Sequence, residues 1–553
     1  RNRTPKPDAE TGRRNRTPKP DAETGRRNRT PTPSHSDFRR RSLSEHLDVS
    51  PRTGPGERLV LALDAGTTSV RSIAFDRAGR VVASSQREFE QRYPAPGDVR
   101  HDPEAIWNAQ LGTAREVVQA VGGPDRIAAI GVTNQRETAV VWDRATGRPV
   151  ADAIVWQSRV TAPFCEQLSA AGHEAVVRQR TGLPIDAYFS GPKIRQILLE
   201  DPSLRPRAER GELAAGTVES FLISRLTGGR THVSDVSNAS RTLLLDIRRG
   251  AWDDELLELM EVPRALLPEV RSCSEVYAQT DAALFGRPIP IAGAAGDQQA
   301  ATFGQACHVP GEAKVTLGTG AFLLANTGER AIASSHGLLT TVAWRLGPAA
   351  PLVYAVEGSV FVTGAAVQWL RDGLGLLADS ADIEHLAGSV PDSGGVVVVP
   401  AFVGLGAPYW DPDARGAILG LTRGSGAGHI ARATLDAIAS QVRDVVEAMD
   451  ADLGTPLRGL RVDGGGAGDL VCGLIADQLG RALERPAVRE TTAFGVAALA
   501  GLAVGFWSDP AEIAAVRAVE RRFGPSGDEA ARAADRRLWT RAIERTRGWA
   551  RDS

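Results

Sequence analysis

Three short stretches of this sequence combine small residues, hydroxyls and carboxylates in a way that suits polyphosphate chemistry. They read Asp64-Ala65-Gly66-Thr67-Thr68-Ser69, Gly318-Thr319-Gly320 and Asp463-Gly464-Gly465-Gly466-Ala467-Gly468-Asp469. Each follows an apolar run, and each offers backbone N–H groups that no bulky side chain covers, so phosphate oxygens can approach closely. Asp64 is the candidate to hold the magnesium that travels with such a ligand, through water. A tight hairpin alone would account for any single one of these turns. Three of them after strands, in two halves of the chain, favour a ligand. Neither GxxxxGK(S/T) nor GxGxxG occurs, which removes the main support for P-loop and dinucleotide-binding readings.

The elements that must position these turns alternate as in an α/β enzyme. Leu59–Leu63, Ser72–Phe75 and Val81–Ser85 read as a three-strand meander. A helix follows, with Asp102 as N-cap, Pro103 at its first position, and Ile106, Ala109, Ala114 and Val117 at near-helical spacing. Ile127–Thr133 and Thr138–Asp143 read as further strands. The logic recurs about 250 residues on, where Lys314–Leu317, the Gly318 turn and Ala321–Asn326 repeat the strand, turn and strand. Two similar α/β lobes follow, joined near residue 306, after a helix that opens at Asp297.

The chain has 553 residues with 42 % hydrophobic content, enough for more than one core. Residues 1–13, RNRTPKPDAETGR, recur as 14–26 and begin again at Arg27. So polar a repeat cannot bury an apolar face, and residues 1–57 read as a disordered extension. Residues 1–56 hold 14 Lys or Arg against 7 Asp or Glu, net +7, so the remainder carries −9 of the total −2. That mildly acidic body gives no support to nucleic-acid binding. The first methionine is Met260, which reads as a fragment or as a start assigned too far upstream. No apolar run approaches the ~20 residues of a membrane helix, and no signal peptide is visible. Cys165, Cys273, Cys307 and Cys472 have neither disulfide-framework nor zinc spacing, which fits a reducing cytoplasm.

Longer segments carry a resemblance. LDAGTTSVR, SQREFEQRYPAPGDVRHDP, IGVTNQRETAVVWD, AIVWQSR, DAYFSGPK, SNASRTLLLDI, GAAGDQQAATFGQ, VPAFVGLGAPYWDPDARGAILGLTRG and ERPAVRETTAFGVAALAGLAVGFW stand in order from about residue 58 to the C-terminus. In these segments the chain resembles the FGGY carbohydrate kinases of the actin-like ATPase superfamily, and among them the glycerol kinases. The resemblance implies two ribonuclease-H-like lobes, 58–306 and 307–553, with ATP–magnesium and glycerol in the cleft and glycerol 3-phosphate as product. It carries glycerol binding onto Arg136, Glu137, Trp156, Tyr188, Asp297, Gln298 and Phe322. Such a set suits a triol, because charged and amide groups grip hydroxyls on one edge while aromatic faces cover the hydrocarbon. Asp297 becomes the catalytic base, where an N-cap carboxylate is the bland alternative. Nucleotide binding maps onto Thr67, Thr68, Ser69, Arg71, Thr319, Gly364, Gln368 and Gly465. A homo-oligomer of two or four copies is expected.

The chain departs from the family pattern at four places. Ala65 stands where glutamine is usual. The segment after VDGG is one residue short and lacks an asparagine, with Gly468 and Asp469 in its place. Gln196 replaces a tryptophan, and Ala283-Leu284-Phe285-Gly286 lacks a phosphorylatable histidine. A glycine-rich loop for fructose 1,6-bisphosphate is not evident. His101 reads as a neighbour of a cap, Arg87, Glu88 and Glu90 as a solvated or interface face, and Trp369, Trp410 and Trp507 as packing residues. The competing functions are a kinase for another polyol or a pentulose, and a non-catalytic nucleotide switch. The latter needs no triol pocket.

Overall fold

The computed structural model describes residues 46–49 and 56–551. Two seven-stranded sheets organise them. The first comprises β1 (His46–Val49), β2 (Leu59–Ala65), β3 (Ser69–Phe75), β4 (Val81–Glu88), β5 (Ile127–Asn134), β6 (Ser274–Gln279) and β7 (Pro290–Gly296), in the order β1-β4-β3-β2-β5-β7-β6. The second comprises β8 (Glu312–Leu317), β9 (Ala321–Gly328), β10 (Leu339–Trp344), β11 (Val353–Val360), β12 (Gly459–Asp463), β13 (Leu483–Pro486) and β14 (Val519–Phe523), in the order β10-β11-β9-β8-β12-β13-β14. Both sheets set two parallel neighbours beside an antiparallel hairpin: β2 pairs antiparallel with β3 and parallel with β5, as β8 does with β9 and β12. The expected duplication of the α/β plan is present.

The central strands read as continuous apolar runs because helices cover both faces of the first sheet. Every residue of β2 and β5 is buried. Helix α1 (Pro103–Ala120) packs Ile106, Ala114 and Val117 with Leu59, Leu61 and Leu63. Its start is as the sequence predicts, with Asp102 accepting a hydrogen bond from the Glu104 N–H and Pro103 opening the first turn. The opposite face meets α5 (Thr491–Ala503), whose Val496, Ala497 and Ala500 cluster with Val60 and Ala62. This helix is apolar on all sides, as its burial between elements requires. It crosses α2 (Asp297–Gly304) at backbone distance: a Cβ on Gly495 would lie 1.8 Å from the Ala300 carbonyl oxygen. In the second sheet, α3 (Ala427–Leu453) and α4 (Asp469–Leu479) share a core with β8 and β12.

β3 is longer than the Ser72–Phe75 expectation because Val70 and Arg71 find ladder partners in Ala65 and Asp64, which polarity alone did not reveal. Within the N-terminal extension, His46–Val49 pairs with β4, a difference from the structureless reading of 1–57. Apart from Gly56 and Glu57, the rest of that extension lies outside the described residues.

Candidate active site

Register brings the key residues into one row. Across the parallel strands β2, β5 and β7, Ala65, Asn134 and Gly296 lie opposite one another. The chain therefore leaves three adjacent strands, about 4.8 Å apart, at the same level. Gly66, Gln135 and Asp297 come next, where open α/β sheets place their ligands. The second sheet repeats this, with Thr316 opposite Asp463 so that the Gly318 and Gly464 turns start side by side. The Gly466 N–H donates to Leu317 O at 2.9 Å, and a Cβ on Gly464, at φ 93°, would lie only 2.3 Å from that same oxygen.

The seven residues expected to meet a triol converge. Trp156 stands edge-on to Tyr188 and Phe322, with centroids 5.8 and 6.2 Å away. Arg136 is buried, with Nε 3.4 Å from Asp297 Oδ1 and 3.7 Å from Glu137 Oε1, while Nη2 reaches the Tyr188 hydroxyl at 3.5 Å. Glu137 takes the left-handed region at φ 61°, unusual for a residue with a side chain. Its Oε1 accepts from Arg241 Nε at 2.7 Å and its carbonyl from the Ser190 hydroxyl at 3.2 Å. Asp297 opens α2 half-buried, and its Oδ1 accepts the Gln298 N–H at 2.7 Å. Gln298 in turn accepts from Lys314 Nζ.

Burial pushes the Asp297 carboxyl above its ordinary range, against the pull of Arg136 and Lys314. Burial likewise raises Glu137, with Arg136 and Arg241 opposing. Lys314 is brought down to about 8 by burial, against Asp463 and Asp297. Burial alone would raise Glu357, but Arg136 and Arg241 bring it down to about 2.

The nucleotide candidates fall into two groups. In the first turn, Thr67 accepts a hydrogen bond from Trp156 Nε1 at 3.0 Å, Ser69 from Gln86 Nε2 at 3.1 Å, and Thr68 is exposed. Arg71 pairs with Asp64 at 2.8 Å and with Glu490 just before α5. In the second group, Thr319 O accepts the Thr363 N–H at 3.0 Å, and the Gly364 N–H reaches Gly318 O at 3.0 Å. Gln368 is exposed on the helix Gly364–Asp372, and Gly465 is exposed with open space where a Cβ would stand. No direct hydrogen bond among the described residues joins Gln368 or Gly465 to the triol set.

Two buried carboxylates suit magnesium. Burial raises the Asp64 carboxyl, and Asp463 Oδ1 is buried with no partner among the described residues. No group of three or more candidate metal ligands occurs among the described residues.

The departures have structural counterparts. Ala65 is buried, and its carbonyl accepts the Gln135 N–H at 2.8 Å. Beside Gly468, Glu384 accepts the Leu470 and Val471 N–H groups at 2.8 and 3.2 Å, while Asp469 pairs with Arg485 at 2.7 Å. Gln196 donates to Glu200 at 3.1 Å. His101 is buried between Gln91 and Gln135, and burial lowers it to about 4. Trp507 is core, whereas Trp410 is 36 % exposed, its ring edge-on to Phe361 with centroids 6.1 Å apart.

Four side chains at the site went unread in the sequence: Arg241, Lys314, Glu357 and Glu490. The signal for Glu357 was a lone charge inside the apolar strand VYAVEGSV, and for Lys314 a charge flanked by apolar residues in EAKVTL. Inner-face residues Lys314, Leu324 and Glu357 lie opposite one another, as do Thr316, Phe322 and Ser359.

Residues 59–304 match the N-terminal domain of the FGGY family of carbohydrate kinases, and residues 313–504 its C-terminal domain. The chain is 56 % identical over 493 residues to the glycerol kinase of Trichlorobacter lovleyi, covering 89 % of this chain and 99 % of that one. It is 54 % identical over 494 residues to glycerol kinase 2 of Thermotoga maritima, with the same coverage. Its fold matches the crystal structure of Plasmodium falciparum glycerol kinase with ADP at a TM-score of 0.84 and 34 % identity, covering 89 % of this chain and 98 % of that one. With both of its domains matched in order, the chain belongs to the FGGY family of carbohydrate kinases.

Proposed function

We infer that this chain transfers the terminal phosphoryl group of ATP to glycerol, giving glycerol 3-phosphate and ADP. The observation that carries the reading is the meeting of Asp297, Arg136 and the Trp156, Tyr188 and Phe322 rings at the strand ends that also bear the Asp64 turn.

In this reading the hydrocarbon edge of glycerol lies against Trp156 and Phe322, and its hydroxyls meet Arg136, Glu137, Tyr188 and Gln298. Asp297 accepts the proton of the terminal hydroxyl as that oxygen bonds to the γ-phosphorus and the bond to the ADP oxygen breaks. Thr67, Thr68, Ser69, Arg71 and Thr319 hold the phosphates, and Gly364, Gln368 and Gly465 the nucleoside. Asp64 and Asp463 would hold magnesium, which when bound with ATP neutralises charge on the phosphates. Water exclusion by closure of two lobes meeting near residue 306 keeps ATP from being hydrolysed instead of transferred.

Among the described residues no helix is long and apolar enough to cross a membrane. Four buried free thiols suit a reducing cytoplasm. Sedimentation of the purified protein tests the expected assembly of two or four copies. A coupled ADP-release assay with glycerol, xylulose, gluconate and dihydroxyacetone tests the activity. Highest kcat/KM for glycerol is expected, and preference for a sugar acid or a pentulose overturns the assignment.

A further inference from the structure

Four charged side chains lie beneath the triol wall with almost no solvent contact: Arg136, Glu137, Arg241 and Glu357 are each at most 2 % exposed. Burying two ion pairs is a poor route to stability, since the desolvation penalty consumes most of the attraction. Their geometry indicates another role. Glu357 grips Arg136 through two parallel hydrogen bonds, Oε2 to Nη1 at 2.6 Å and Oε1 to Nη2 at 2.9 Å. Gln299 Oε1 takes the other Nη1 hydrogen at 3.3 Å. Of the five donors of a guanidinium, this leaves the Nε edge and the second Nη2 hydrogen, which face Asp297 and the Tyr188 hydroxyl.

Arg241 performs the matching task on Glu137. Its Nε takes Glu137 Oε1 at 2.7 Å and its Nη2 takes Glu357 Oε1 at 3.1 Å. Among the described residues Glu137 Oε2 accepts no hydrogen bond, so it remains for a hydroxyl. The register supports the same assignment independently. Glu357 and Ser359 lie on one face of β11, and Ser359 is opposite Phe322, so Glu357 shares its face with the aromatic wall. Glu357 holds the two Nη groups of Arg136, so that only Nε stands beside Asp297, at 3.4 Å.

We propose that Glu357 and Arg241 are positioning residues of the triol site, locking Arg136 so that its Nε edge stands beside Asp297 and Glu137 so that one carboxylate oxygen is left for a substrate hydroxyl. This rests on the glycerol kinase reading. β11 continues into Thr363 and Gly364, whose N–H groups bind the Gly318 turn, so the residue that sets the triol site belongs to the strand that sets a phosphate turn.

The test measures glycerol and ADP binding separately by calorimetry, beside KM and kcat, in wild type, Glu357→Gln and Arg241→Lys. Glu357→Gln is expected to weaken glycerol binding about tenfold or more, as loss of a charged hydrogen-bond pair does, while ADP binding changes less than about threefold. Glu357→Asp should recover part of the loss. Glycerol affinity within twofold of wild type, or equal losses for glycerol and ADP, overturns the proposal. If Glu357→Gln yields no folded protein, Arg241→Lys decides by the same criteria. A wild-type protein that neither binds nor phosphorylates glycerol refutes the functional reading itself, whereas a competent wild type with an unaffected Glu357→Gln refutes only the positioning role.

Discussion

The indole Nε1 of Trp156 donates a hydrogen bond to the Thr67 hydroxyl at 3.0 Å, so a ring proposed to wall the triol is fastened directly to the turn proposed to hold phosphate. The two residues are 89 positions apart. Gln91 adds a second tie to the turn, donating to Thr67 O at 2.9 Å. Replacing Thr67 by Val removes the acceptor while keeping the shape. We expect KM for both ATP and glycerol to rise, by about three- to tenfold as for a lost neutral hydrogen bond. A rise for ATP alone, in steady-state assays, would mean that the contact transmits nothing to the triol side.

Asp297→Asn keeps the volume of the proposed base and removes its proton affinity. The variant is expected to fold with an unchanged melting profile, because Asn at the first position of α2 still accepts the Gln298 N–H. Turnover should fall about 10²- to 10⁴-fold, the usual contribution of a general base. Near wild-type turnover refutes the assignment.

Gly465 is exposed, and a Cβ there meets nothing within 4 Å. The protein itself therefore sets no steric limit on a side chain here, and in the proposed nucleotide site the bare backbone is left for the ligand. Gly465→Ala is expected to leave thermal stability unchanged and to weaken ADP binding in calorimetry by about tenfold. Unchanged ADP affinity would remove Gly465 from the nucleotide site.

Lys314 is held near 8 by burial, so it is charged below that pH and neutral above it. It faces Asp297, Asp463, Arg136 and Glu357. Loss of its charge on going alkaline removes a cation that partners Gln298 and Thr316. The expected outcome is a decline of kcat/KM as pH rises through about 8, a profile that reports the free enzyme. In Lys314→Met the activity should be lower and this limb absent. For stability the sign is opposite. A lysine lowered from 10.5 means the unfolded chain holds more protons between about 8 and 10.5, so the cost of burying the charge is relieved as pH rises through that window.

Gly495 on α5 crosses α2, and its substitution tests the packing that seats Asp297. A Cβ there would overlap the Ala300 carbonyl at 1.8 Å, with backbone on both sides. Gly495→Ala is expected to cost about 3 kcal/mol or more in chemical denaturation, since neither helix can yield as a side chain does. A cost below about 1 kcal/mol would mean the crossing is more pliant than a packed core allows.

What was legible in the sequence was local. The apolar runs of β2, β5 and β8, the Asp102-Pro103 helix start and the three small-residue turns all depend on neighbours within a few positions, and the structure contains each of them. The length of β3 was less legible, because Val70 and Arg71 become strand only by pairing with β2. Trp410 shows the same limit, since exposure is set by what packs nearby and not by residue type.

The chain by itself determined the chemical inventory: which carboxylates, arginines, aromatic rings and bare turns were available, and the order in which strands and helices would carry them. Only the tertiary structure decided which of them meet. Glu357 holds Arg136 across 221 positions, and Glu384 closes the N-terminus of α4 where the shortened glycine segment runs. Such pairings depend on strand register and helix crossing, which bring distant side chains to within about 3 Å, and no local periodicity encodes them.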